Sequence, residues 1–78
     1  MVRMYVLIET QVGKTRELVE AIRKLDDVVL ANSVTGPYDA IAIVECETIE
    51  KLGECITSKV QTISGISRTV CCITVPIS

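Results

Sequence analysis

The chain is 78 residues long, carries a net charge of −2 and is 49% hydrophobic against 23% charged. That length makes one small domain with no room for a second beside it. The acidic balance excludes a general phosphate-backbone binder.

Met1–Glu9 is the first predicted element. Its even positions, Val2, Met4, Val6 and Ile8, are all apolar, while Arg3, Tyr5, Leu7 and Glu9 make a mixed second face. That alternation reads as a strand. Leu18, Val19, Ile22 and Leu25 then recur at three- and four-residue spacing against Arg16, Glu17, Glu20, Arg23 and Lys24, which predicts an amphipathic helix over residues 14–25. Residues 28–34 and Ala40–Cys46 are aliphatic and β-branched, and Thr35-Gly36-Pro37-Tyr38-Asp39 between them is a turn sequence, so these two strands are expected to be antiparallel neighbours.

A second helix opens at Thr48, a residue type suited to capping, with Glu50 in the first turn where the helix dipole favours an acid. Ile49, Leu52, Ile56, Val60 and Ile63 mark its buried stripe, and Gly65 stops it. Ile66–Ile77 reads as a long last strand, with Pro76 at an edge or exit position.

The order β-α-β-β-α-β predicts an α+β, ferredoxin-like domain spanning residues 1–78, a four-stranded antiparallel sheet with both helices on one face. Two right-handed crossovers make that arrangement nearly forced. An antiparallel sheet normally turns polar residues toward solvent on its bare side. Here Tyr5 and Leu7 lie there if the even positions of the first strand face the helices, and the later strands add aliphatics. Burying each such side chain is worth about 1.5–3 kcal/mol. Two sheets stacked face to face, as a dimeric α+β barrel, would capture that energy.

Little in the chain suits catalysis. It has no His, so Cys46, Cys55, Cys71 and Cys72 have no base, and no glycine-rich phosphate loop is present. The four cysteines form no C-x-x-C and sit in apolar runs, where they read as small hydrophobes and not as a metal or redox site. No enzyme activity, cofactor or metal is expected. No apolar run approaches the roughly 20 residues of a membrane span, and the N-terminus is unlike a signal peptide. A soluble, cytoplasmic protein is expected.

The T-G-P-Y-D segment has two readings. As a hairpin turn, Gly36 takes a positive φ and Asp39 bonds nearby backbone N–H groups. As a ligand site, exposed N–H groups receive a carboxylate while Asp39 supplies an anion for an ammonium, as a zwitterion requires.

Tyr5-Val6-Leu7-Ile8, Val28-x-x-Ala31 before Val34-Thr35-Gly36-Pro37-Tyr38-Asp39, and Gly65-Ile66-Ser67-Arg68-Thr69-Val70-Cys71 together resemble the effector-binding RAM (regulation of amino acid metabolism) domain of the Lrp/AsnC regulators. The resemblance covers essentially the whole chain and is most specific at V-T-G-x-Y-D. It implies the β-α-β-β-α-β fold and sheets paired face to face in dimers, which assemble into rings such as octamers. It also implies small effectors, usually amino acids, bound near Thr35, Gly36, Pro37, Tyr38 and Asp39, with Thr69 and Cys71 contributed by a neighbouring subunit. Many relatives carry Thr where Cys71 stands, and a thiol is the weaker hydrogen-bond partner, which leaves the effector's identity open. Full-length members begin with a helix-turn-helix, whereas this chain begins at the first strand and resembles a stand-alone RAM protein.

The expected function is therefore an oligomeric amino-acid-binding module, regulating transcription or amino-acid metabolism without touching DNA. The alternative is a ligand-free interaction protein that co-assembles with full-length Lrp/AsnC paralogues. An enzyme of the dimeric α+β barrel type lacks acid–base residues here. An ACT-like module shares the fold order but not the T-G-P-Y-D segment.

Overall fold

The computed structural model describes residues 1–75. Its elements are β1 (Val2–Thr10), α1 (Thr15–Arg23), β2 (Val28–Ser33), β3 (Ala40–Cys46), α2 (Ile49–Cys55) and β4 (Ile66–Ile73). A π-helical turn over Ile56–Val60 continues α2, closed by Gln61 N–H donating to Ile56 O at 2.8 Å. The strands form one sheet in the order β2-β3-β1-β4, antiparallel throughout. The ferredoxin-like plan is thus the observed one.

β1 alternates as its sequence requires. Met4, Val6 and Ile8 are buried, in register with Val44, Ala42 and Ala40 of β3. The helices lie over that side. α1 contributes Leu18, Val19 and Ile22, one apolar stripe at helical spacing. α2 and its π-helical extension contribute Leu52, Cys55, Ile56 and Val60. Alanines at 31, 40 and 42 let the helices approach the sheet closely, and this aliphatic layer is the one core of the described residues.

The ends follow local chemistry. Thr48 caps α2, its hydroxyl accepting from Lys51 N–H at 3.2 Å. Gly65 takes a φ of +101° on the way into β4, a conformation L side chains avoid. At the free edge of β2, Arg23 donates to Ala31 O at 2.8 Å, occupying an acceptor that an unpaired edge otherwise offers to other chains.

Several expectations change. α1 is shorter than residues 14–25. β2 stops at Ser33, since Val34 N–H already closes the hairpin to Asp39 O at 3.0 Å. β4 ends at Ile73; Pro76 and Ile77 lie outside the described residues. Ile49 does not join the buried stripe. It sits in the first turn of α2 and is 58% exposed, while Cys55 takes an inward position.

The cysteines divide. Cys46 and Cys55 are buried small hydrophobes, whereas Cys71 and Cys72 on the edge strand are exposed, contrary to their reading as packed residues. Burial pushes the Cys46 and Cys55 thiols up from the ordinary 9.0, and the Asp27 carboxylate adds to both shifts.

Two outcomes follow for stability. Truncating Ile8→Ala deletes a side chain with no exposure and is expected to cost about 2–5 kcal/mol in chemical denaturation at fixed protein concentration. The raised thiols keep their protons in the folded chain longer than in the unfolded one. The stability they confer is full below pH 9.0 and is lost as pH rises through the raised values. Denaturation midpoints under reducing conditions should therefore fall above that pH, and fall less steeply in Cys55→Ala.

Candidate functional site

Alternation puts the other parity of β1 on the side without helices. Tyr5 stands in register between Ile43 and Cys72, and Leu7 between Ile41 and Val70. Leu30 of β2 joins them opposite Ile43, 42% exposed. The bare face is therefore an apolar field bounded by two ion pairs. At one end Arg3 Nε donates to Glu45 at 2.7 Å, and this bond pushes the Arg3 guanidinium up from its ordinary value. At the other end Arg68 meets Glu9 at 3.6 Å.

The loop Thr35–Asp39 sits at the Glu9 end of the sheet. Thr35, Gly36 and Pro37 are exposed and Tyr38 is half-buried. Gly36 takes a φ of +132°, and a Cβ there would meet nothing within 4 Å, so glycine serves the backbone alone. Asp39 anchors the loop twice. Its N–H donates to Ile8 O at 2.9 Å, and its Oδ2 accepts from Thr10 N–H at 2.8 Å. The turn reading of Asp39, as an acceptor for backbone N–H, is therefore realised in this structure.

Thr69 and Cys71 lie on β4, in register with Ile8 and Val6. They project to the helix side, at the sheet's edge where no helix covers them fully: Thr69 is half-buried and Cys71 exposed. Partial burial and Cys72 push the Cys71 thiol up, against the effect of a hydrogen bond with Thr69. The structure thus brings Thr69 and Cys71 together but does not bring them to the loop. Ile8 stands between Ala40 and Thr69, a separation of two strand spacings, about 10 Å.

Sequence reasoning missed Thr10 and the Glu9–Arg68 pair. Register alone reveals them, and periodicity carries no register across strands. A shallow cleft of about 270 Å³ at the opposite end of β3 is lined by Asp27, Lys51, Glu54, Cys55, Ser58 and Lys59. Lys59 pairs with Asp27 and Lys51 with Glu47, each at 3.6 Å, so its cations are already matched. Among the described residues no cluster of Cys, Asp or Glu has the geometry to hold a metal ion, and no helix is long and apolar enough to cross a membrane.

Residues 3–75 match the family model described as the Lrp/AsnC ligand binding domain. The chain belongs to that family. Among solved structures, this Lrp/AsnC domain is similar to TTHA0845 from Thermus thermophilus, with 33% identity, a TM-score of 0.92, and coverage of 96% of this chain and 94% of that one. It is also similar to E. coli AsnC, at 28% identity and a TM-score of 0.87, covering 99% of this chain but 54% of AsnC. The transcriptional regulator NMB0573 from Neisseria meningitidis, solved as a complex with L-Met, shares the fold at 12% identity, with a TM-score of 0.86 and coverage of 99% of this chain and 52% of that one. No curated protein matches the chain by sequence.

Because the Gly36 backbone is strained for any L side chain and its surroundings are open, Gly36→Ala should destabilise the Lrp/AsnC domain by about 1–3 kcal/mol without displacing a neighbour. Urea denaturation measures the loss, and an unchanged circular dichroism spectrum checks that the sheet persists.

Proposed function

We propose that this Lrp/AsnC domain is an amino-acid sensor that works as an assembly of copies. The observation that carries the reading is the match of residues 3–75 to a ligand-binding domain of that family. In the proposed site Gly36, Pro37 and Tyr38 shape the loop while its exposed N–H groups receive the ligand carboxylate. Asp39 keeps one carboxylate oxygen for the ammonium, the other being held by Thr10. Thr69 and Cys71 come from a neighbouring copy. The gap of two strand spacings between the loop and these residues supports that division, because one α-amino acid group does not bridge it within a protomer. The complex of NMB0573 with L-Met is a precedent for an amino acid on this fold.

Assembly follows from the bare face. Seven side chains (Tyr5, Leu7, Leu30, Ile41, Ile43, Val70 and Cys72) form a field that water covers in a lone chain, and sheet-on-sheet stacking removes it. Rings of such dimers, an octamer among them, then supply the neighbouring Thr69 and Cys71. The domain carries out no catalysis in this reading. Its charge of −2 supports action on transcription or metabolism without contact to DNA, and the compartment proposed is the cytoplasm. A second reading is favoured by the Thr10–Asp39 bond, which gives Asp39 a structural task inside its own chain. Here the domain binds no effector and instead co-assembles with full-length Lrp/AsnC regulators.

Native mass spectrometry of the protein alone, and with an equimolar mixture of amino acids, separates the two. One amino acid retained per subunit on a ring of dimers is the expected outcome. The same ring staying empty moves the function to co-assembly, and a monomer removes both. In parallel, Leu7→Lys places a charge at the centre of the bare face and should yield monomers in sedimentation velocity; an unchanged sedimentation coefficient would refute face-to-face pairing.

A further inference from the structure

β1 outruns its neighbour on one side. β3 begins at Ala40, opposite Ile8, so Thr10 projects its N–H past the last backbone partner β3 can offer. The Asp39 side chain fills that place, Oδ2 accepting from Thr10 N–H at 2.8 Å, in effect one further rung of the ladder. Alternation turns the next amide the other way. Gln11 N–H donates to Gly65 O at 2.8 Å, fixing the start of the segment that becomes β4. On that side Glu9 pairs with Arg68 and Thr10 with Ile66, so Ser67 is bulged out and β4 bends where it leaves Gly65. Gly65 has no latitude there. Its φ is +101°, and a Cβ would stand 3.0 Å from Lys14 Cβ.

A third bond holds the dipeptide itself. Thr10 Oγ1 and Thr15 Oγ1 share a hydrogen bond of 2.7 Å, part-buried, tying the end of β1 to the first residue of α1. Between them Lys14 N–H donates to Gln11 O at 3.0 Å and closes the turn. Two consecutive amides thus clamp the two halves of the proposed site, and one pair of hydroxyls sets their direction.

We propose that Thr10 is the positioning residue of the amino-acid site, holding Asp39 by one oxygen so that the other is aimed at the ligand ammonium. The inference rests on the proposed function, since it assumes that Asp39 meets an ammonium. The Thr10 hydroxyl acts through Thr15 on the aim of the Thr10 N–H and touches no ligand. An aspartate already fixed by a backbone donor loses little freedom on binding, which is what preorganisation contributes to affinity.

The test uses the intact protein, Thr10→Val, Thr15→Val, Asp39→Asn and Asp39→Ala, with two readouts. The first is affinity for the equimolar amino-acid mixture, followed by native mass spectrometry. The second is amide exchange at Thr10. Valine keeps the N–H and the β-branched shape but removes the hydroxyl pair, so both valine variants should stay folded and lose about three- to tenfold in affinity. Asp39→Asn keeps an acceptor for Thr10 N–H while losing the charge. It should retain amide protection within about threefold yet lose at least about tenfold in affinity. Asp39→Ala should lose both, exchanging at Thr10 about tenfold faster or more. A purely structural role would alter stability and leave the affinity of folded protein untouched. Affinities within about twofold of the parent in both valine variants would overturn the proposal. If the parent protein retains no amino acid, the sensor reading falls, and with it the ligand part of this proposal. Exchange at Thr10 equal in Asp39→Ala and the parent would separately overturn the positioning bond.

Discussion

Alternation along β1 seals Met4, Val6 and Ile8 under two helices while it stands Tyr5 and Leu7 half-buried on the other side, in line with Ile41, Ile43, Val70 and Cys72. Two short helices cover one face of the four-stranded sheet, and among the described residues none remains for the second. The apolar character of that second face is therefore a demand on something outside the chain. In the proposed pairing a second sheet of the same kind would meet it, because identical faces match in size and in polarity and a two-fold axis uses each contact twice. The ion pairs Arg3–Glu45 and Glu9–Arg68 bound the field without crossing it. Each is neutralised within the chain, so the proposed stacking would ask for no new charge matching.

The same register that builds the faces places the residues of the proposed site. The turn after β2 and the first half of β4 reach the same end of the sheet, but β1 separates them by its full width. Ferredoxin-like topology makes this unavoidable: β3 and β4 flank β1, and nothing short of breaking the ladder brings them together. Residues that family likeness groups as one site thus stand apart within one chain, as two half-sites in the proposed reading. Joining them across a subunit boundary, as proposed, would cost no strain and would make occupancy depend on assembly.

How much was legible in the sequence differs by scale. Period-two alternation in residues 2–8 and 40–46, and the helical stripe Leu18-Val19-Ile22, specified the elements and the covered face, because both patterns are local and the core selects for them. Gly36 and Thr48 announced their roles through backbone and capping chemistry that three or four residues contain. Ile49 misled because helical periodicity says which way a residue points and not how far the first turn of the helix is covered. Cys71 and Cys72 misled for a related reason: an apolar run on an edge strand reads like one in the middle. The resemblance supplied the loop and Thr69, but neither composition nor spacing showed that Asp39 would be spoken for by Thr10. That bond spans 29 residues and depends on β1 overrunning β3, a fact of pairing and not of pattern.

That overrun also changes how Asp39 should be read chemically. A carboxylate offered to solvent on a mobile loop is well hydrated, and an incoming ammonium must displace that water and also freeze the loop. With Oδ2 held by a backbone N–H and the Asp39 amide held by Ile8 O, the loop's last residue is fixed from two sides. The turn reading of T-G-P-Y-D and the proposed ligand reading are then compatible, since the hydrogen bond that makes Asp39 a structural residue leaves its second oxygen free of Thr10. The Thr10–Gln11 pair extends the same logic to β4 through Gly65, so the rigidity of each half-site is borrowed from the strand that keeps them apart.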